Sequence, residues 1–297
     1  MNVFGADWLK RRAPFDAQAR DAGLVRGFSG ALPGDASAAR RIVDLAAGSG
    51  ANFRALAPLI GGEQDWLLVD SDPLLLAAQA GEIGRWSRDA GWRCRSLDSG
   101  ILVEAAGARW HARARRLDLA RSVEEVDFAG CDGVTTSAFL DLVSAAWLER
   151  LCALLARHAR PLLATLTVDG RRDWHPLLPA DARLGAAFLR HQERDKGFGP
   201  ALGPRAAGQL ADGLAGRGYE VSVARSDWRI GAEHGDMLRH MVAETVAAAV
   251  EADPSGSAHF AEWSRERNAQ LSSGTLALEV GHLDLLALPR GRGSAGG

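Results

Sequence analysis

Residues 40–56 read RRIVDLAAGSGANFRAL. A short apolar run through Ile42, Val43 and Leu45 carries Asp44 near its end. Two glycines follow, Gly48 and Gly50, and a helical pattern runs on to about Leu59. Glycine inside ordered structure costs conformational entropy. Two of them at a strand-to-helix turn imply a backbone that must bend sharply, or that a ligand must approach where a Cβ would stand. Strand, turn and helix are the first half of a βαβ unit, the repeat from which mainly parallel α/β sheets are built.

Working outward, the alternation continues. DWLLVD (65–70) is a short apolar strand. In the helix that follows, Asp72 is the N-cap and Pro73 takes the first helical position. Residues 92–117 alternate like a hairpin, CDGVTTS (131–137) reads as a strand, and 145–158 as a helix. PLLATLTVDG (161–170) is a buried strand, 171–203 a polar connection, and a helix ends near Gly218. YEVSVARSDWRI is another strand, 233–271 forms two helices broken by DPSGS, and TLALEVGHLDLLALP is one long strand or a pair. Before the glycine turn, 15–32 reads as a single helix with Ala19, Ala22, Val25, Phe28 and Leu32 at helical spacing. The expected organisation is an N-terminal helical cap (1–40), an α/β domain (41–288) with insertions at 171–204 and 233–271, and a flexible tail (289–297).

Composition narrows the partners. The 297 residues suffice for one large α/β domain with a cap, and 47% apolar content supplies a sizeable core. A formal net charge of -2 gives no pull toward nucleic acid or acidic lipid, so a small-molecule partner is expected and neither nucleic acid nor membrane. The sequence starts MNVFGADWLKRR, without the apolar run of a secretory signal, and its longest apolar stretches are too short to span a bilayer. A cytoplasmic location is expected. The cysteines Cys94, Cys131 and Cys152 are too scattered for a disulfide framework or zinc site, and the histidines have no metal-ligand spacing. No metal is expected; Asp72 beside Asp70 reads as a helix cap.

In such a sheet, ligands sit beyond the carboxyl ends of the strands. Asp44 ends the first strand. Asp70 ends the second, about 20 residues past the glycines, where an acid accepts hydrogen bonds from both hydroxyls of a ribose. A dinucleotide and S-adenosylmethionine both fit. The dinucleotide fingerprint wants a third glycine, but the string is GSGANF, with Phe53 in its place. A nucleotide- or NAD-dependent oxidoreductase is therefore the second reading, and a non-catalytic cofactor-binding protein the third.

VDLAAGSGAN, LLVDSDP, RRLDL and CDGVTTSAFLDLVS, in this order over residues 40–170, resemble the successive motifs of class I S-adenosylmethionine-dependent methyltransferases. GHLDLLALP resembles their closing antiparallel strand. The resemblance implies a Rossmann-like, doubly wound seven-stranded sheet, six strands parallel and one antiparallel, carrying helical cap insertions here. It implies S-adenosyl-L-methionine as cofactor and methyl transfer to a small acceptor. Gly48 and Gly50 would flank the methionine part of the cofactor, with Ala46 and Asn52 in the same turn, and Asp44 would orient the amino group. Asp70 would hold the ribose diol and Ser71 would lie beside the adenine. Asp118 and Leu119 match the acidic turn that binds the adenine amino group; Thr136 and Ser137 match the strand end beside the transferred methyl. The family has a further glycine where this chain has Ala46.

Segment 171–204 follows the fifth strand of that scheme, over the edge where an acceptor must approach. Read functionally, it is a positively charged lid in which Arg172, Trp174, His175, Arg190, His191 and Lys196 receive an acidic acceptor; read plainly, it is a solvated connection with a charged helix face. Trp174 and Trp228 are candidates for stacking on a planar substrate. In 233–271, Met237, Leu238, Met241, Val242, Thr245 and Val246 form an apolar stripe for the chain's own core or for a second copy. No residue announces itself as a general base.

Overall fold

The computed structural model describes residues 6–33, 38–105 and 107–290. Parts of the expected cap (1–5, 34–37) and the tail from 291 onward lie outside the described residues. The chain opens with α1 (Ala6–Ala19) and α2 (Ala22–Ala31), then alternates β1 (Arg40–Leu45), α3 (Ala51–Ile60), β2 (Gln64–Asp70) and α4 (Pro73–Asp89). Next come β3 (Arg93–Leu97), β4 (Gly100–Ala105), β5 (Ala108–Arg116), α5 (Leu119–Ser122), β6 (Gly133–Ser137) and α6 (Ala145–His158). The remainder is β7 (Leu162–His175), α7 (Asp181–Gln192), α8 (Ala206–Ala215), β8 (Tyr219–Arg225), β9 (Trp228–Ile230), α9 (Gly235–Ala252), α10 (Ser257–Ser272) and β10 (Ala277–Pro289).

The sheet runs β3-β4-β5-β2-β1-β6-β7-β10-β8, with β9 pairing on β10. Its seven central strands are β5-β2-β1-β6-β7-β10-β8. Only β10 among them is antiparallel to its neighbours, which is the mainly parallel, doubly wound α/β sheet the sequence implies. Three strands exceed that expectation: the β3–β4 hairpin widens the sheet beyond β5, and β9 arises because YEVSVARSDWRI breaks in two at Ser226 and Asp227.

Local chemistry sets most boundaries. Asp72 caps α4 by accepting the Leu74 N–H at 2.8 Å, with Pro73 in the first turn. Ser144 caps α6 by accepting the Trp147 N–H at 3.3 Å. The single helix expected over 15–32 is two. Asp21 accepts the Leu24 N–H at 2.8 Å and starts α2 anew, while its own N–H donates to buried Asp284 on β10 at 2.9 Å. The polar connection expected over 171–203 is also different. β7 continues to His175 because β10 is long enough to pair it there (Ala277 with His175), and α7 follows.

Three cores result. Residues of α2, α3 and α4 cover one face of the sheet, and α5, α6 and α8 the other. The third core lies in the cap, where Phe15 of α1, Trp174 at the far end of β7, Trp228, and apolar residues of α7, α9 and α10 pack together. The two insertions thus form one unit. At its centre Arg267, fully buried, donates to Asp181 and to the Pro176 carbonyl and lies 5.3 and 5.2 Å from the rings of Trp174 and Trp263. The 233–271 stripe is spent inside the chain: Met237, Leu238, Met241, Val242 and Thr245 are buried in this cap and Val246 packs against it.

Candidate active site

The glycine turn lies at the carboxyl edge of the sheet, between β1 and α3. Gly48 has φ 54° and Gly50, the N-cap of α3, φ 79°. Ala46 also takes a left-handed conformation, φ 56°, at the position where the resembled family carries glycine. The turn keeps its shape there at the expense of backbone strain. Ala138 (φ 51°) after β6 and Leu166 (φ 58°) in β7 do the same. Three neighbouring strands therefore leave the edge through a strained residue, a pattern that gathers at binding sites.

Asp70 organises the turn. Its Oδ2 accepts the Gly48 N–H at 2.8 Å and its Oδ1 the Asp72 N–H at 2.9 Å. Gln79 donates to the Gly48 carbonyl at 2.8 Å. Leu117, after β5, donates its N–H to the Asp70 carbonyl at 2.9 Å, and Asp118 is the next residue along the chain. Asp118 is exposed and caps α5, Leu119 is buried, and Ser71 is exposed. Asp44 is fully buried. Its Oδ1 accepts Asn52 Nδ2 at 2.8 Å and Thr135 Oγ1 at 2.9 Å. Burial pushes its carboxyl up to about 7. Thr136 is buried and donates to the Leu45 carbonyl at 2.9 Å, while Ser137 is half-buried at the end of β6.

Sequence reading missed the residues that α1 brings to this edge. Arg20 donates through Nη1 to the Asp16 carbonyl and through Nη2 to Ser137 Oγ at 3.3 Å. Arg12 forks onto Asp16 (2.9 and 3.2 Å) and lies 5.0 Å from the Trp228 ring. Leu9 comes within 3.8 Å of where a Cβ on Gly48 would stand. Asp284 of β10 accepts the N–H groups of Asp21 and Leu166, anchoring both the α1–α2 junction and the strained residue of β7. A signal existed for Asp284, an acid inside the apolar run HLDLLALP. None existed for Arg20 in an arginine-rich chain.

Several buried polar atoms at this edge have no partner among the described residues: Asp44 Oδ2, Asn52 Oδ1, Arg20 Nε, Asp141 Oδ1, Thr165 Oγ1 and Thr167 Oγ1. Buried groups are ordinarily hydrogen-bonded, so these atoms are the candidates here for holding a polar ligand.

The substrate residues expected from 171–204 are not brought together here. Trp174 and Trp228 are buried in the cap core, where Trp174 meets Trp263 edge-on at 5.1 Å, so neither presents a face to a substrate. Arg172 is half-buried and pairs with Glu244 (3.0 Å), its guanidinium 4.1 Å from the Phe188 ring. His175 is exposed at the distal end of β7 beside Ala277, ten residues beyond the last pairing with β6 at Thr165. His191 pairs with Glu251 at 3.2 Å, and Arg190 is exposed on α7. The charge of the segment is thus largely neutralised internally, Arg171 included, which meets Asp169, Asp227 and Glu279. Of the residues expected to receive the acceptor, Lys196 is the one whose charge acts on Asp141, on the turn after β6. Among the described residues, no three His, Cys, Asp or Glu side chains gather as a metal site, and no helix is long and apolar enough to cross a membrane.

No protein-family model and no curated protein matches the sequence. Solved structures are similar at low identity. The YcgJ protein of Bacillus subtilis is 10% identical with a TM-score of 0.48, covering 91% of this chain and 100% of its own. A cyclopropane synthase from Mycobacterium tuberculosis is 11% identical with a TM-score of 0.45, over 89% and 83%. An S-adenosylmethionine-dependent methyltransferase from Thiobacillus denitrificans, solved with S-adenosylhomocysteine, is 15% identical with a TM-score of 0.43, over 98% and 100%. In the central sheet the order is third, second, first, fourth, fifth, seventh, sixth strand, with the seventh reversed. By that order the fold is the Rossmann-like α/β fold of the class I methyltransferases.

Proposed function

We propose that the protein is an S-adenosylmethionine-dependent methyltransferase acting on a small molecule. The observation that carries this reading is a pair of complementary orphans at this edge of the sheet, a buried acceptor, Asp44 Oδ2 on β1, and a buried donor, Nε of Arg20, which bonds Ser137 at the end of β6. Each charge acts on the other. A ligand ending in an ammonium and a carboxylate satisfies both, and the amino-acid end of S-adenosylmethionine is such a group. Asp70, oriented by two backbone N–H groups, retains lone pairs for a ribose diol. Asp118 and Ser71 flank the adenine side, and Gly48, Gly50, Ala46 and Asn52 shape the turn.

The cofactor supplies an already activated methyl group. The chain's part is to hold donor and acceptor in line and to exclude water. In this reading Thr136 and Ser137 stand at the methyl end, and α1 closes over the turn through Leu9 and Arg20. The dinucleotide reading loses ground because Phe53, where the third glycine would stand, is fully buried and packs edge-on against Trp66 and Trp86 at 5.5 and 5.9 Å. Isothermal titration with S-adenosylhomocysteine, S-adenosylmethionine and NAD tests the proposal. Micromolar binding of the first two and none of NAD is expected; the reverse order would sink it.

A further inference from the structure

We infer that Asp141 takes the proton of an acceptor N–H or O–H group, so that the substrate is an amine or a hydroxyl compound and not a carboxylate; this rests on the methyl-transfer reading above. Asp141 lies on the single turn Leu140–Leu142, four residues past Ser137 at the end of β6. Its Oδ1 is enclosed and accepts no hydrogen bond among the described residues. The cations that act on it through space are Arg12 on α1 and Lys196 on the loop after α7. Arg12 is already spent on Asp16 and the Trp228 ring.

The turn carrying Asp141 is held by β7 and by the loop after α7. Ala138 donates its N–H to the Thr165 carbonyl at 2.9 Å, and Leu202 of the overlying loop donates to the Val143 carbonyl at 2.8 Å. Phe139 packs edge-on against Phe198 of that loop at 5.2 Å. Asp141 is half-buried between the buried residues Leu140 and Val143 of this turn, and an enclosed carboxylate oxygen left unmet costs stability. A ligand donor is the group it lacks. Burial raises its carboxyl to about 6, which leaves it ionised near neutral pH and a stronger base than an ordinary aspartate. A carboxylate acceptor would need no base and would meet a like charge here.

The acceptor's nitrogen or oxygen gives its proton to Asp141 Oδ1 while its own lone pair forms the new bond to the methyl carbon and the departing sulfur keeps the old bonding pair. The carboxylate and the sulfonium charges are discharged together.

The test compares wild type and Asp141→Asn. Each is incubated with S-adenosylmethionine labelled in its methyl group and a small-molecule extract of cultured cells. Transfer is expected to fall about a hundredfold in the variant. Its affinity for S-adenosylhomocysteine should stay within about twofold and its Tm should not fall. The wild-type product should keep its label in alkali, because N-methyl and O-methyl ether bonds resist it. Normal transfer by the variant, a Tm that drops with loss of S-adenosylhomocysteine binding, or label released as methanol by alkali would each overturn the assignment. Wild type that fails to bind S-adenosylhomocysteine would instead overturn the methyl-transfer reading itself.

Discussion

Gly48 donates its backbone N–H to Asp70 Oδ2 at 2.8 Å, and this bond ties the turn after β1 to the end of β2. The acid expected to read a ribose is therefore also the brace of the glycine loop.

Asp70→Ala removes both roles. S-adenosylhomocysteine affinity should fall by about 1.5–3 kcal/mol, since charge-assisted hydrogen bonds are lost. A modest fall in Tm should accompany it as the Gly48 and Asp72 N–H groups lose their acceptor. Calorimetry and thermal unfolding measure the two effects separately. Unchanged affinity would remove Asp70 from the site.

Arg20→Met should weaken S-adenosylhomocysteine roughly tenfold or more and leave 5′-methylthioadenosine, which lacks the amino-acid end, unaffected. Equal losses for both ligands would mean that Arg20 only holds α1 in place.

Asp44 carries a pH signature. Its carboxyl titrates at about 7 in the folded chain and near its ordinary 3.8 when unfolded. Between those values the folded state binds the extra proton, so Asp44 withdraws stability as pH rises from about 4 to 7. Asp44→Asn keeps an oxygen for Asn52 and Thr135 and abolishes the charge. The Tm of the variant relative to wild type should climb across that window while S-adenosylhomocysteine binding is lost. A flat difference would contradict the burial-raised carboxyl.

Ala46→Gly relieves a left-handed alanine. It should raise stability by about 1 kcal/mol, less a small loss of apolar contact, a gain of roughly 2–4 °C in Tm. A fall in Tm would show that the methyl group's packing outweighs the strain.

Reading the chain alone reached as far as local rules reach. The glycine turn, the Asp72 cap and the apolar periods are encoded within a few residues, so β1, β2, α6 and the start of α4 are legible to within a residue or two. The same locality explains the misreadings. A helical period ran unbroken across Arg20 and Asp21, and nothing nearby told that Asp284, more than 260 residues away, would draw the backbone there into a break.

What the sequence by itself determined is the strand–helix alternation from β1 through α4, the glycine turn and the acids near the ends of β1 and β2, because each depends on neighbours along the chain. Only the tertiary structure decided which charges are free. Arg172 and Trp174 stand in the segment that looked most like a substrate lid, yet Glu244, Phe188, Trp263 and Arg267, all distant in sequence, absorb them into the cap. Asp141 and Arg20 looked ordinary, and burial left one atom of each without a partner. A charge's availability depends on what solvates or pairs it, and partners brought in over tens to hundreds of residues leave no local trace in the sequence.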